Sequence, residues 1–194
     1  SGKTPNRALI DYLAHPGTDQ KLRQYYNIST ERELLDALGC DFYYLSCRDI
    51  SQNESVMPFY KGAPLEFTDT QRVCPLGIRY RRGAYNSKFA VDEAIAGPLR
   101  NASSVKDVLS HNWPKPGWFD FSAMPAVLRE ARKTHAVQCG YMAPFYYHNL
   151  LRGLEQSLLD PLEDPAFTHE LLDRISGFFL DYHRALFQAC DGLI

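Results

Sequence analysis

The sequence predicts a parallel α/β fold, and three observations carry that reading. The stretch Leu38-Gly39-Cys40-Asp41-Phe42-Tyr43-Tyr44-Leu45-Ser46-Cys47-Arg48-Asp49 is a glycine stop followed by an apolar run without clean polar alternation. That is the composition of a strand covered on both faces. Helical spacings and strand-like runs alternate along the chain, as they do when helices cross between parallel strands. A second short apolar run, His135-Ala136-Val137-Gln138-Cys139-Gly140, follows a helical stretch as the first does. With 194 residues, 45% hydrophobic and 23% charged, the chain is long enough to bury a core and is expected to form one domain, 1–194.

Taken in order, Ala8, Leu9 and Leu13 predict a short helix over 7–13, ended by His15-Pro16-Gly17, with a second helical piece over 19–26. Thr30-Glu31-Arg32-Glu33 has capping-box spacing. The helix it opens turns Leu34, Leu35 and Leu38 inward and stops at Gly39. The strand over 41–47 follows, so Arg48 and Asp49 stand at its carboxyl end, where the loops of parallel folds converge and chemistry gathers. Residues 51–66, with Pro58, Gly62 and Pro64, read as a loop. Residues 68–89 are rich in β-formers, and the alternation Ile78-Arg79-Tyr80-Arg81 predicts an exposed β-hairpin extension. Its Arg72, Arg79, Arg81, Arg82 and Lys88 read most plainly as a solvated basic face. The sharper reading gathers the arginines for carboxylates or phosphates, to which a planar guanidinium makes paired hydrogen bonds.

Further on, 91–99 is predicted as a short helix stopped by Gly97-Pro98, and 104–109 as another with Ser104 at its N-cap. Trp113-Pro114-Lys115-Pro116-Gly117-Trp118 is predicted to be irregular, because two prolines remove donors, and its tryptophans to pack. Ser122 is expected to cap a helix over 123–133 with Pro125 in its first turn. The strand over 135–140 comes next, then a helix over 147–159. Asp164-Pro165 opens the longest helix, with the stripe Phe167, Leu171, Ile175, Phe178, Tyr182 and Leu186. A third strand is expected to begin at Cys190-Asp191-Gly192-Leu193-Ile194.

Several function classes find no support. A net charge of −2 argues neither for nucleic acid nor for an anionic membrane surface. No apolar run reaches the ~18 residues that cross a bilayer, and no basic-then-apolar leader is seen. The opening Ser-Gly-Lys is set aside from fold reasoning. Five cysteines, Cys40, Cys47, Cys74, Cys139 and Cys190, form no C-x-x-C pair and read as reduced, buried thiols of a cytoplasmic protein. No dinucleotide fingerprint or P-loop occurs. The six histidines show no metal-ligand spacing and read as surface or helix-face residues.

Three segments together carry a family resemblance. They are Leu34-Leu35-Asp36-Ala37-Leu38-Gly39-Cys40-Asp41 through Arg48-Asp49-Ile50, then Gly140-Tyr141-Met142-Ala143-Pro144-Phe145 through Arg152-Gly153, and the Asp164-Pro165 helix running into Ala189-Cys190-Asp191-Gly192. In this order they resemble the uroporphyrinogen decarboxylase-like superfamily, which includes heme-pathway decarboxylases and cobalamin-dependent methyltransferases. The resemblance implies the N-terminal half of a (β/α)8 TIM barrel with a β-hairpin extension. It implies decarboxylation of a porphyrinogen or a related carboxylated substrate without a cofactor. Asp49 matches the acidic strand-end residue that stabilises positive charge on a protonated ring. Arg48, Arg79, Arg81 and Tyr141 are the implied substrate-binding residues. The family's N-terminal arginine-glutamine-alanine-glycine-arginine element corresponds to Leu22-Arg23-Gln24-Tyr25-Tyr26, which keeps only the first pair. Asn149 or Leu150 stands where the decarboxylases carry a tyrosine. The methyltransferase branch places its zinc-binding histidine and cysteines beyond Ile194, so no metal ligand is assigned. The implied partner is a small molecule, a tetrapyrrole in the decarboxylase case, with no nucleic acid and no membrane. A third expectation is a non-catalytic half-barrel that assembles as a homodimer and buries its sheet edges.

Overall fold

A computed structural model describes residues 7–14, 16–45, 60–86, 89–139, 143–190 and 192–193. The chain is mixed α/β, with one two-stranded and one three-stranded sheet and no closed barrel among the described residues. It divides into two compact units. One takes Ser1–Leu45, Ala123–Cys139 and Cys190–Ile194, the other Ser46–Ser122 and Gly140–Ala189.

In the first unit α1 (Pro16–Tyr26) and α2 (Glu31–Leu38) lead into β1 (Phe42–Leu45), and α4 (Met124–Ala131) leads into β5 (Ala136–Cys139). β1 and β5 pair in parallel, from Phe42 opposite Ala136 to Leu45 opposite Cys139. The capping box is present: Glu33 N donates to Thr30 Oγ1 at 3.2 Å and Thr30 N to Glu33 Oε2 at 2.9 Å. Leu34 and Leu35 are buried as expected. Four expectations in this unit are corrected. Residues 7–13 form no helix; the segment is extended, with Asp41 N donating to Ile10 O at 2.8 Å and Ile10 N to Asp41 Oδ2 at 2.7 Å. Pairing with Asp41 at the start of β1 takes the backbone of this segment instead. Pro16 opens α1 rather than ending a helix, since a proline loses nothing at the first helical position. Ala123, not Ser122, is the N-cap of α4, while Pro125 does lie in its first turn. No third strand begins at Cys190: the last helix runs through that residue, and Leu193 N closes a turn onto Cys190 O.

The second unit holds the sheet β2 (Gln71–Val73), β3 (Arg79–Asn86) and β4 (Phe89–Ala96), all antiparallel, then α3 (Val105–Ser110), a 3-10 turn at Pro116–Trp118, α5 (Pro144–Arg152), α6 (Leu154–Glu163) and most of α7 (Pro165–Cys190). The predicted hairpin is there, but its second strand occupies residues expected to be helical. Arg81 lies opposite Glu93 and pairs with it at 2.9 Å. Arg72 reaches over the Tyr80 ring to Asp92 at 2.6 Å. These cross-strand contacts override the helix propensity of Asp-Glu-Ala. The helix expected over 147–159 is two helices, because Gly153 adopts φ 90° and ψ 145°, outside any helical basin. The α7 stripe of Phe167, Leu171, Ile175, Phe178, Tyr182 and Leu186 is buried throughout. Phe119 stacks edge-on against Tyr182, and Tyr147 leans on Phe179, so this core is largely aromatic. The tryptophans pack, Trp113 donating Nε1–H to Val108 O at 2.9 Å and Trp118 meeting Tyr60 edge-on.

Candidate functional site

The register of β1 and β5 brings their carboxyl ends side by side, Leu45 opposite Cys139. In sequence, Arg48 and Asp49 follow Leu45 by three and four residues, and Tyr141 follows Cys139 by two. All three lie outside the described residues. Arg79 and Arg81 are described, and each is engaged by a carboxylate of its own sheet region. Arg79 holds Glu66 with two hydrogen bonds at 2.6 and 2.9 Å, which keep the Glu66 carboxyl below its ordinary range and push the Arg79 guanidinium up. Arg81 donates to Glu93 at 2.9 Å.

A polar site that the sequence reading did not single out lies in the first unit. Asp11 and Tyr12 continue the extended segment held at the start of β1. Tyr44, third residue of β1, donates its hydroxyl to Asp11 Oδ2 at 2.5 Å, and Tyr12 N donates to Asp11 Oδ1 at 2.8 Å. Tyr12 in turn donates its hydroxyl to Asp19 Oδ1 at 2.5 Å. Burial first, then the bond to Asp19, pushes the Tyr12 phenol up to about 12, so it stays a donor. Asp19, Gln20, Arg23, Gln24 and Asn27 follow one another along one face of α1 and its exit turn, and with Ile28 they line an open hollow. A guanidinium and three amides can hold a carboxylate or another oxyanion. Arg23 and Gln24 are the arginine-glutamine pair of the family resemblance, the one signal by which sequence could have pointed here.

A second cluster is fully enclosed in the other unit. Arg152 holds Asp160 through Nε and Nη2, both at 2.8 Å, and donates Nη1–H to Leu99 O at 2.7 Å and Ala102 O at 2.9 Å. His148 Nε2 lies 2.9 Å from Asp160 Oδ2. Burial pushes the Asp160 carboxyl up, but hydrogen bonds from Arg152, His148 and Gln156 outweigh it and leave it at about 2. The arrangement cross-links the α5–α6 joint to the loop after β4, which is structural work. His148 is a helix-face residue of α5, as expected, and is buried; His135, also buried, lies just before β5 rather than on the surface or a helix face. Asp160 on the next helix and backbone carbonyls about fifty residues back supply the partners for this cluster, which helix periodicity does not reveal.

Among the described residues no group of histidine, cysteine, aspartate and glutamate has the geometry of a metal site. None of the described helices is long and apolar enough to cross a membrane. Cys40, Cys74 and Cys190 are buried free thiols, and burial pushes each of them up. In comparisons with protein-family models, curated proteins and solved structures, the chain matches no family model, no curated protein and no solved structure.

Proposed function

We propose that this chain is the opening half of a (β/α)8 barrel of the uroporphyrinogen decarboxylase type, and that it removes carbon dioxide from a porphyrinogen or a related carboxylated molecule. The parallel pairing of β1 with β5 is the observation that carries the reading. Strands that run parallel need a long crossover between them, the repeated step from which such a barrel is built. The segments holding Arg48 and Asp49 and holding Tyr141 both follow carboxyl ends on the same edge of that pair. In the mechanism, the Asp49 carboxylate faces a substrate ring protonated on carbon and stabilises its positive charge. The carbon–carbon bond to the departing carboxylate breaks, its electron pair neutralises the ring, carbon dioxide leaves, and a solvent proton then adds to the side-chain carbon while the ring carbon gives up the proton it had taken. Arg48, Arg79, Arg81 and Tyr141 are the proposed holders of the remaining carboxylates. Action in the cytoplasm, without a cofactor, belongs to the same proposal. The test is anaerobic turnover of a porphyrinogen with carbon dioxide measured. Asp49→Asn should abolish release while the far-ultraviolet circular dichroism stays the same; unchanged release removes Asp49 from the mechanism.

One observation favours a second reading, a half-barrel that serves assembly as a homodimer. On α6 the buried side chains are Ser157 and Asp160, whereas Leu154, Leu158 and Leu162 are 63, 55 and 82% exposed. Apolar residues facing outward in a row are the usual mark of a contact surface. Sedimentation should then show a dimer that Leu158→Gln with Leu162→Gln converts to monomer; a wild-type monomer at every concentration removes this reading.

A further inference from the structure

α7 carries a glycine in its interior that the fold does not call for. Gly177 is exposed, and a β-carbon built on it would meet no atom within 4 Å. Its backbone is helical, so no special conformation requires glycine there either. A glycine at such a place only weakens the helix. What the missing side chain leaves is room. Gly177 lines an open groove of about 470 Å³, with α7 on one side and the Trp113-Pro114-Lys115-Pro116 segment on the other, all within the second unit. Two prolines stiffen that segment. Trp113 is half-buried and pinned, its Nε1–H on Val108 O at 2.9 Å and the His111 ring edge-on to it with centroids 4.9 Å apart. On the α7 side Glu170, Asp173, Gly177 and Asp181 follow one helix face. From the first to the last is about 16 Å of helix. An extended peptide covers that length in about five residues.

We propose that this groove docks an extended segment of a partner protein, and that it takes an arginine of that segment between the Trp113 ring and the Asp173 carboxylate. Charge selects the arginine. Three carboxylates line the groove against two cations. Glu170 already holds Arg174 at 2.7 Å, and Asp181 lies 3.5 Å from Arg184. Asp173 has no ion-pair or hydrogen-bond partner among the described residues. A guanidinium answers both remaining groups at once, because it stacks on an aromatic face while its edge donates to a carboxylate. An ammonium, compact and strongly hydrated, does this less well. Length selects a protein segment over a free cation, since a single guanidinium would fill only a part of the groove. The space over Gly177 is where the backbone of that segment crosses α7. The proposal rests on neither reading of the function given above.

The experiment is a nuclear magnetic resonance titration of the whole chain with acetyl-Ala-Pro-Arg-Pro-Ala-amide, which its prolines keep extended. The backbone amides of Gly177 and Trp113 should shift saturably, with Kd below about 1 mM. The same peptide with glutamine in place of arginine should bind more than about tenfold more weakly. Asp173→Asn should weaken the arginine peptide about fivefold, the scale of one exposed ion pair. Gly177→Leu fills the groove and should abolish binding, yet raise the melting temperature by about 2 °C, because leucine is the better helix former. Loss of binding in a more stable protein cannot come from unfolding. No shift at Gly177 and Trp113 by about 5 mM peptide, equal binding of the arginine and glutamine peptides, or wild-type affinity in Asp173→Asn or Gly177→Leu would each overturn the proposal. Acetyl-arginine amide bound as tightly as the pentapeptide would overturn the partner segment and make this a site for a free cation.

Discussion

Arg152 and Asp160 form a planar two-bond pair in the interior of the second unit, each hydrogen bond 2.8 Å long, with the Phe167 ring 4.5 Å from the guanidinium carbon. The Arg152 Nη1 reaches backbone carbonyls of the loop after β4. Asp160→Asn leaves this cation enclosed without its counter-charge, and should cost about 3 kcal/mol or more in a urea unfolding experiment. Acid should act on the same group. The folded carboxyl titrates at about 2 against an unfolded value of 3.8, so its contribution is complete above that unfolded value. It is lost as pH falls from there through about 2, a loss of roughly 2 kcal/mol. Wild type should therefore lose stability across that acid window, and Asp160→Asn should lose distinctly less.

Gly97 lies where the chain leaves β4 and crosses the end of α5. A β-carbon there would sit 2.2 Å from Leu151 O and 2.4 Å from Leu150 O, both backbone atoms that cannot swing aside. Leu99 N also donates to Leu151 O at 3.1 Å, so the crossing cannot widen without breaking that bond. Gly97→Ala should destabilise by about 3 kcal/mol, the upper part of the range for overpacking. A melting temperature within a degree of wild type would show that the loop and α5 can separate freely.

The α2 cap offers a smaller and cleaner measurement. Thr30 Oγ1 accepts from Glu33 N, and Glu33 Oε2 accepts from Thr30 N and Ser29 N. Those donors, Thr30 first, hold the Glu33 carboxyl below its ordinary range. Thr30→Ala should cost about 1 kcal/mol. It should also let the Glu33 carboxyl titrate higher, a change that carbon-detected nuclear magnetic resonance of the side chain would follow.

What was legible in the sequence shares one property, that its cause is local. The capping box before α2, the Asp164-Pro165 start of α7 and the α7 stripe are written within a few residues of where they act, and all three were found. The misread stretches depend on partners far along the chain. Residues 7–13 are drawn out by Asp41, and β4 is a strand because β3 runs beside it with Arg81 opposite Glu93. The Tyr12–Asp19 contact was not legible, because the spacing of Ala8, Leu9 and Leu13 predicts a helix over 7–13 that does not form. The Tyr12 hydroxyl reaches Asp19 only because the segment is extended.

Arg79 and Arg81 separate two readings of the hairpin that the sequence left open. Both pairs are substantially exposed, the side chains of Arg79 and Glu66 at 35 and 48% and those of Arg81 and Glu93 at 54 and 63%. Exposed pairs contribute little to stability, so Arg79→Ala and Arg81→Ala should each change the unfolding free energy by under about 1 kcal/mol. Stability thus cannot distinguish a solvated basic face from a substrate clamp, and KM can. If these arginines hold substrate carboxylates, the free enzyme carries an internal competitor on each. Glu93→Gln should then lower KM by releasing Arg81, while Arg81→Ala raises it, with kcat little changed in both. A KM that ignores both substitutions would make the hairpin a solvated face and return substrate recognition to the edge where β1 and β5 end.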